Sequence, residues 1–142
     1  MVYVDTGPLS NGLAINPNIP EVDGALSLPA WDFFEPDELV GLTPQLLANC
    51  RAKAVPEPAA VASDVQVLTD SRRFDIASVI ITSTLTPEQL LDYAHQGSSF
   101  YAELLKLTKL TKLSVVALPT GHWPQFSRPD DLAEAVVAAL AR

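Results

Sequence analysis

A histidine that follows a predicted buried strand is the residue in this sequence best suited to proton transfer. His122 stands in the run PTGHWPQFSRPDDLA of residues 119–133, between an apolar segment and a final helical segment. An imidazole can act as a base near neutral pH, and a loop after a parallel strand lies where open α/β folds bind ligands. Gly121 would let the backbone turn tightly enough to aim the ring inward. We expect His122 to be catalytic, the alternative being a solvated loop histidine.

A carboxylate near the start of the chain is the second candidate. Asp5 stands in the run VYVDTGP, where a short apolar strand ends and the chain turns away. A carboxylate beside a catalytic histidine holds the ring in one tautomer and stabilises its charged form. The alternative is a turn aspartate that caps its own backbone. Asp75 and Asp92 are weaker candidates for the same role.

Three apolar runs predict buried strands, at residues 2–4, 76–84 and 113–118. The runs are continuous rather than alternating, which is typical of a parallel sheet covered by helices on both faces. Helical segments are predicted at residues 86–97, 100–107 and after Pro129. The first of these begins with a capping box at Thr86 and ends at Gly97. The order strand, helix, strand, helix predicts an α/β fold with a parallel sheet and crossover helices.

Residues 7–73 have a different character. Eight of the twelve prolines precede residue 59, and the apolar residues form short clusters without a sustained period. Thr43 and Pro44 predict the start of one helix that runs through Cys50 and is ended by the run PEP of residues 56–58. The segment is too apolar for a disordered linker and too irregular for sheet. We therefore interpret it as a lid or cap over the sheet, within a single domain whose strand–helix core spans residues 74–142.

The segment from residue 113 to residue 142 resembles the C-terminal end of α/β-hydrolases. In that family a Gly-His pair after the last strand precedes a helix that opens with Arg-Pro and acidic residues, as residues 121–131 do here. The resemblance implies that the chain is the C-terminal portion of such a fold. It also implies that His122 is the general base of a Ser-His-acid triad. The expected reaction is hydrolysis of a carboxyl ester or a similar acyl bond.

The same resemblance bears on the acid. Some α/β-hydrolases carry it at the end of the strand that follows the nucleophile's strand and helix, and Asp5 resembles that position. The commoner position lies just after the next strand, where the run STLTP of residues 83–87 contains no acid. That absence favours Asp5.

The serine nucleophile of the family is missing from the sequence. Its elbow requires the pattern G-x-S-x-G, which does not occur in this chain. Ser10 has the wrong spacing from its flanking glycines, and Ser98 and Ser99 lack the second glycine and a preceding strand. Because the family order is serine, acid, histidine, we expect the serine in an N-terminal half that precedes residue 1. The alternative function is a non-catalytic remnant of the fold that binds a ligand or partner.

Four aromatic residues are candidates to line an apolar acyl or aryl pocket, the alternative for each being ordinary packing. They are Trp31, Phe33 and Phe34 in the lid segment and Trp123 beside His122.

Other reactive residues are predicted to be inert. His95 is expected on the surface of a helix, and Cys50, the only cysteine, is expected to be buried. The two histidines have no cysteine or carboxylate cluster at ligand spacing, so no metal site is predicted. No glycine-rich phosphate loop is present, so no cofactor is expected.

The balance of charge limits the partners. Seventeen acidic against nine basic side chains give a net charge of −8, which disfavours nucleic acid and anionic membrane surfaces. With no basic–apolar leader or membrane-length apolar run, a cytoplasmic location is expected. A three-stranded sheet would leave an edge that tends to pair with another chain. We therefore expect a small ester-like substrate and either a dimer or a complex with an N-terminal half-chain.

Overall fold

The sheet at the centre of the chain is parallel and three-stranded. The computed structural model describes residues 1–98, 101–109 and 113–141. The strands are β1 (Val2–Val4), β4 (Ser78–Thr82) and β5 (Leu113–Ala117), in the spatial order β1-β4-β5. Val2 lies opposite Val79, and Ser78 opposite Leu113. The predicted α/β class with a parallel sheet and helices is confirmed.

Only the central strand is buried along its whole length. All five residues of β4 are buried, whereas β1 and most of β5 are half-buried. The expectation of a sheet covered on both faces therefore holds for β4 alone among the described strands. Strand β4 is shorter than the predicted strand of residues 76–84. At one end Ile76 is 48% exposed, and at the other the N–H groups of Ser83 and Thr84 donate to a side chain and not to a neighbouring strand.

Two helices connect β4 to β5. Helix α3 (Pro87–His95) has the predicted capping box, with Thr86 accepting from the Gln89 N–H and the Gln89 side chain accepting in return. Gly97 follows it with a φ of +84°, a conformation that favours glycine. Helix α4 (Leu104–Lys109) starts later than the predicted residue 100, and Phe100 lies outside the described residues. The core consists of Ile80, Leu90, Ala94 and Leu104.

The last helix, α6 (Pro129–Leu140), follows a short helix α5 (Pro124–Ser127) that the sequence did not indicate. Helix α6 packs against β1 and β4. Its apolar side chains are only partly covered, because Val137 is 67% and Leu140 73% exposed. The helix itself lies where the sequence predicts one, from Pro129 onward.

Residues 7–73 contain more regular structure than expected. Helix α1 (Pro44–Lys53) starts as predicted, with the Thr43 hydroxyl accepting from the Leu46 N–H. The prediction that the segment is too irregular for sheet is wrong. Strands β2 (Ala25–Leu26) and β3 (Glu57–Pro58) form a small antiparallel pair, followed by helix α2 (Ala60–Ser63). Short 3-10 turns occupy Trp31–Phe33 and Ser71–Asp75.

A buried carboxylate ties this segment to the core. Glu103 is 2% exposed. It accepts from Arg73 at 2.9 Å, from Lys106 at 2.8 Å and from the Ser10 hydroxyl at 2.9 Å. Arg73 also donates to the Leu9 carbonyl at 3.0 Å. The cluster therefore fixes the chain four to five residues after Asp5.

Candidate functional site

The structure brings His122 and Asp5 into contact. The imidazole Nδ1 lies 2.6 Å from Asp5 Oδ2, although the two residues are 117 positions apart in sequence. The carboxylate side chain is 5% exposed and the imidazole 43% exposed. Asp5 follows β1 and His122 follows β5, so the pair lies at the carboxyl edge of the parallel sheet. A buried acid thus holds a ring that solvent can reach.

Hydrogen bonds from the end of β4 fix the Asp5 carboxylate. Its Oδ1 accepts from the backbone N–H groups of Ser83 at 2.8 Å and Thr84 at 3.1 Å. The Thr84 hydroxyl lies 3.2 and 3.3 Å from the two carboxylate oxygens. Asp5 therefore caps the end of the neighbouring strand, whereas the alternative had it capping its own turn.

The backbone at Asp5 is in the left-handed region, with a φ of +49°. Asp and Asn tolerate this region better than most other residues except glycine. The Asp5 N–H donates to the Ile81 carbonyl at 2.7 Å, which anchors the turn to β4. The unusual conformation directs the carboxylate across the sheet edge toward His122.

The surroundings keep Asp5 ionised. Burial alone would raise the pKa of Asp5, but the hydrogen bond from His122, the Ser83 hydroxyl and the N–H groups of Ser83 and Thr84 outweigh it. The net effect holds the pKa of Asp5 well below its usual range. Within the described residues the Ser83 hydroxyl makes no hydrogen bond, so His122 and the two N–H groups, at 2.8 and 3.1 Å, are the donors that hold the carboxylate.

The charge of Asp5 acts in turn on His122. The hydrogen bond to Asp5 raises the pKa of His122, burial opposes it, and the charges of Asp5 and Glu38 add to the increase. With Nδ1 against the carboxylate, a neutral ring carries its proton at Nδ1 and its lone pair at Nε2. No hydrogen bond between described residues uses Nε2. This nitrogen is therefore the basic atom of the pair.

The loop that carries His122 is held by residues 38–40. The His122 N–H donates to the Glu38 carbonyl at 2.8 Å, and the Gly121 N–H donates to the Val40 carbonyl at 3.2 Å. A Cβ on Gly121 would lie 2.3 Å from the Glu38 carbonyl oxygen. Gly121 is therefore required because the backbone of residues 38–40 passes too close for a side chain. The sequence predicted a glycine for a tight turn and did not indicate this close approach.

The four predicted aromatic residues form one cluster. Trp123 lies 4.8 Å from Phe34, 5.7 Å from Trp31 and 5.6 Å from His122 between ring centroids. Phe33 contacts Phe34 at 5.3 Å and is 58% exposed.

The cluster divides between two cavities. Trp31 and Trp123 line one of about 420 Å³. Phe33 and Phe34 line another of about 350 Å³. The sequence did not indicate Leu46, Cys50 or Phe126, which share the first cavity with the two tryptophans.

The remaining reactive residues lie elsewhere. His95 is exposed on α3, as expected, with Nδ1 2.8 Å from the Leu91 carbonyl. Cys50 is half-buried and lines a cavity, so the prediction of a buried thiol is wrong. Asp75 and Asp92 are both exposed. Ser10 is engaged with Glu103.

The described residues contain neither a metal-binding cluster nor a membrane-spanning helix. Within residues 1–98, 101–109 and 113–141, no group of three or more His, Cys, Asp or Glu side chains is placed to hold a metal ion. In the same part of the chain, every helix is too short or too polar to cross a membrane.

No protein-family model, curated protein or solved structure matches this chain. The class of protein is therefore defined by the fold and the site together. It is an α/β protein with a three-stranded parallel sheet and an aspartate–histidine pair at the carboxyl edge of that sheet.

Proposed function

We propose that this chain supplies the general base and the orienting acid of a serine-type site that hydrolyses carboxyl esters or similar acyl bonds. The observation that carries the proposal is the 2.6 Å contact between His122 Nδ1 and the buried Asp5 carboxylate. Ionisation of Asp5, exposure of the ring and a basic Nε2 are what such a base requires. The topology agrees, since the acid follows β1 and the histidine follows β5.

In this mechanism a hydroxyl nucleophile attacks the acyl carbon while Nε2 of His122 takes its proton. Asp5 remains ionised and stabilises the resulting imidazolium. The imidazolium then gives the proton to the departing alkoxide, which leaves as an alcohol. Water then attacks the acyl carbon of the intermediate while Nε2 takes its proton. The bond from the acyl carbon to the nucleophile oxygen breaks, and that oxygen takes the proton back as a carboxylic acid leaves.

The nucleophile would come from outside the 142 residues, because the sequence contains no G-x-S-x-G elbow. Either a preceding segment or a second polypeptide could supply it at the carboxyl edge of the sheet. Residues 7–73 would serve as the lid. Support for that role comes from the Glu38 and Val40 carbonyls, which bind the loop of His122, and from Trp31, which contacts Trp123.

The purified chain can test the base without its nucleophile. Nε2 of an accessible imidazole attacks p-nitrophenyl acetate, releases p-nitrophenolate and forms an acetylimidazole that water hydrolyses. We expect the rate to rise with pH and to level above the raised pKa of His122. His122→Gln should reduce this rate about tenfold, toward the background without a positioned base. His95→Gln removes an exposed imidazole that contacts a carbonyl of its own helix and no carboxylate among the described residues, so it should reduce the rate much less.

Equal rates for His122→Gln and the parent chain would contradict the proposed role. A fluorophosphonate probe tests the missing nucleophile separately, by intact mass and peptide mapping. We expect no stoichiometric serine adduct on the isolated chain. An adduct on a serine within the 142 residues, lost in His122→Gln, would show that the site is complete without a second polypeptide.

A second candidate function is binding without catalysis. The observation that favours it is exposed apolar surface on α6, at Val137 and Leu140. In the described residues β1 also pairs with β4 alone and leaves its other edge open. Surfaces of this kind mark interaction sites, and they fit either a second copy of the chain or an N-terminal half-chain.

We expect the purified chain to self-associate at micromolar concentration. The double variant Val137→Lys, Leu140→Lys should shift it toward monomer, because burying the two charges in an interface is unfavourable. Sedimentation velocity over a concentration series measures this. Ala138→Lys, at an exposed position between them, is the control for added charge. A parent chain that remains monomeric at every concentration would contradict self-association.

A further inference from the structure

A cavity of about 420 Å³ opens beside the aspartate–histidine site. One wall is helix α1 and another is the segment that follows His122. Its size lies within the range typical of small-molecule sites. Trp31 and Trp123 stand edge to face within it at 5.7 Å and 81°. Helix α1 contributes Leu46, Cys50 and Lys53 to the lining, and α5 contributes Phe126.

One wall of this cavity is held in place before any ligand arrives. The Arg51 guanidinium lies 4.8 Å from the Trp31 ring and donates to the carbonyls of Leu28 and Pro29. Arg51 and Trp123 both contact the indole of Trp31 and therefore restrain it. A pre-formed apolar wall lowers the entropic cost of binding.

The cavity extends along α1, whose residues Leu46 and Lys53 both line it. Residues Leu46 and Lys53 are two turns apart, which corresponds to about 10 Å along a helix. The start of α1 lies near α5, since a Cβ on Gly41 would be 2.9 Å from Ser127 Cβ. Lys53 is the last residue of α1. The lysine therefore marks the end of the cavity far from the start of α1.

Among the described residues, Lys53 is the only charged one that lines the cavity. It is exposed, and no ion pair within the described residues uses it. Arg51, by contrast, is committed to two carbonyls and a tryptophan. A flexible ammonium at one end of an otherwise apolar cavity complements a ligand with a single anionic end.

We propose that this cavity binds an elongated apolar organic anion, with its body against the two tryptophans and its anionic group at Lys53. One part of this proposal, the class of substrate, rests on the proposed hydrolase function. The substrate would be an ester with an apolar acyl or aryl part and an anionic group remote from the scissile bond. Binding itself requires neither His122 nor a nucleophile, so it can be measured without turnover.

Tryptophan fluorescence reports on this cavity directly, because the chain has two tryptophans and both line it. The probe is decanoate below its micelle concentration, compared with 1-decanol and decyltrimethylammonium. We expect a saturable change with decanoate, weaker binding of the alcohol and weakest binding of the cation. Lys53→Gln should weaken decanoate binding up to about fivefold, as for an exposed ion pair. The matched control is Arg72→Gln, which removes the same charge from a side chain 85% exposed elsewhere.

The single cysteine locates the bound probe. Cys50 lines the cavity, so saturating decanoate should slow its alkylation by iodoacetamide. A saturable signal without protection of Cys50 would mean binding elsewhere and would overturn the assignment. So would equal binding of the anion and the cation, or no binding at all.

One variant distinguishes the catalytic role of His122 from ligand binding in the cavity. His122→Gln should bind decanoate like the parent chain while losing ester hydrolysis. Hydrolysis that depends on His122 without decanoate binding would reject the cavity and leave the base intact. Binding with no effect of His122→Gln on hydrolysis would retain the cavity as a ligand site and reject the catalytic role.

Discussion

Replacing Asp5 with asparagine is expected to lower the pKa of His122 and to destabilise the fold by about 2–3 kcal/mol, the value of a hydrogen bond to a charged group. Asparagine has the same shape and tolerates the left-handed backbone at this position. Its carbonyl can still accept from the N–H groups of Ser83 and Thr84. The substitution therefore removes the negative charge and places the amide NH2, a donor, opposite Nδ1 of His122, so a neutral ring must carry its proton at Nε2 instead. The hydrogen bond to the Asp5 carboxylate, which is the main factor that raises the pKa of His122, would be lost. Burial, which lowers that pKa, would remain.

The pH dependence of this loss follows from the two shifts. The pKa of Asp5 is depressed in the fold, so its contribution is present above the unfolded value of about 3.9 and is lost as pH falls through the folded value. The pKa of His122 is raised, so its contribution is present below about 6.5 and is lost as pH rises through the folded value. The stability difference between parent and Asp5→Asn should be widest between about pH 4 and 6.5.

Urea unfolding at a series of pH values measures the stability difference, and NMR titration of the two imidazoles measures the pKa values. His95 is the internal control, because it is exposed and bonded only to its own helix. An unchanged His122 titration in Asp5→Asn would show that the contact with Asp5 is not formed in solution. The proposed base would then lose its orienting acid.

The resemblance to α/β-hydrolases predicts the contact between Asp5 and His122, and each of the two residues follows an apolar run. The carboxyl ends of parallel strands share one edge of a sheet, so placing the strands also placed the two side chains. Their catalytic roles stay predictions. The capping box at Thr86 was equally visible, because its signal lies within four residues.

Features that depend on long-range packing were not visible in the sequence. Gly121 looked like a turn glycine, yet it is needed because the backbone of residues 38–40 passes against it. Cys50 looked buried because its helix is apolar, but α1 covers a cavity rather than a core. The pair of β2 with β3 joins residues 31 or more positions apart through strands of two residues, which have no periodicity to detect.

Glu103 is the clearest case of this kind. In sequence it is one acidic residue within the predicted helical segment of residues 100–107, a pattern typical of a solvated surface. In the fold it is buried against two cations and a hydroxyl. Each of those partners comes from a different stretch of the chain or from the next turn, so the sequence near Glu103 cannot reveal them.

Replacing Glu103 with alanine is expected to destabilise the chain by about 3–5 kcal/mol, because it leaves Arg73 partly buried without its counter-charge. The Arg73 side chain is 23% exposed, and its Nε has no hydrogen-bond partner among the described residues. Glu103→Gln, which keeps the shape, should cost less. Urea unfolding measures both, with Glu134→Ala on an exposed position of α6 as the control, expected within about 0.5 kcal/mol of the parent.

Loss of the Glu103 contacts should also change the position of Asp5 in the candidate site. Glu103 holds Ser10 directly and Leu9 through Arg73, and these residues follow Asp5 by only four or five positions. Freeing that stretch should loosen the left-handed turn at Asp5, so the pKa of His122 should fall in Glu103→Gln even under conditions where the variant is folded. A destabilised but folded variant with an unchanged His122 titration would show that β1 and β4 alone position the acid. A variant as stable as the parent chain would show that the buried ion cluster does not hold residues 7–73 to the sheet.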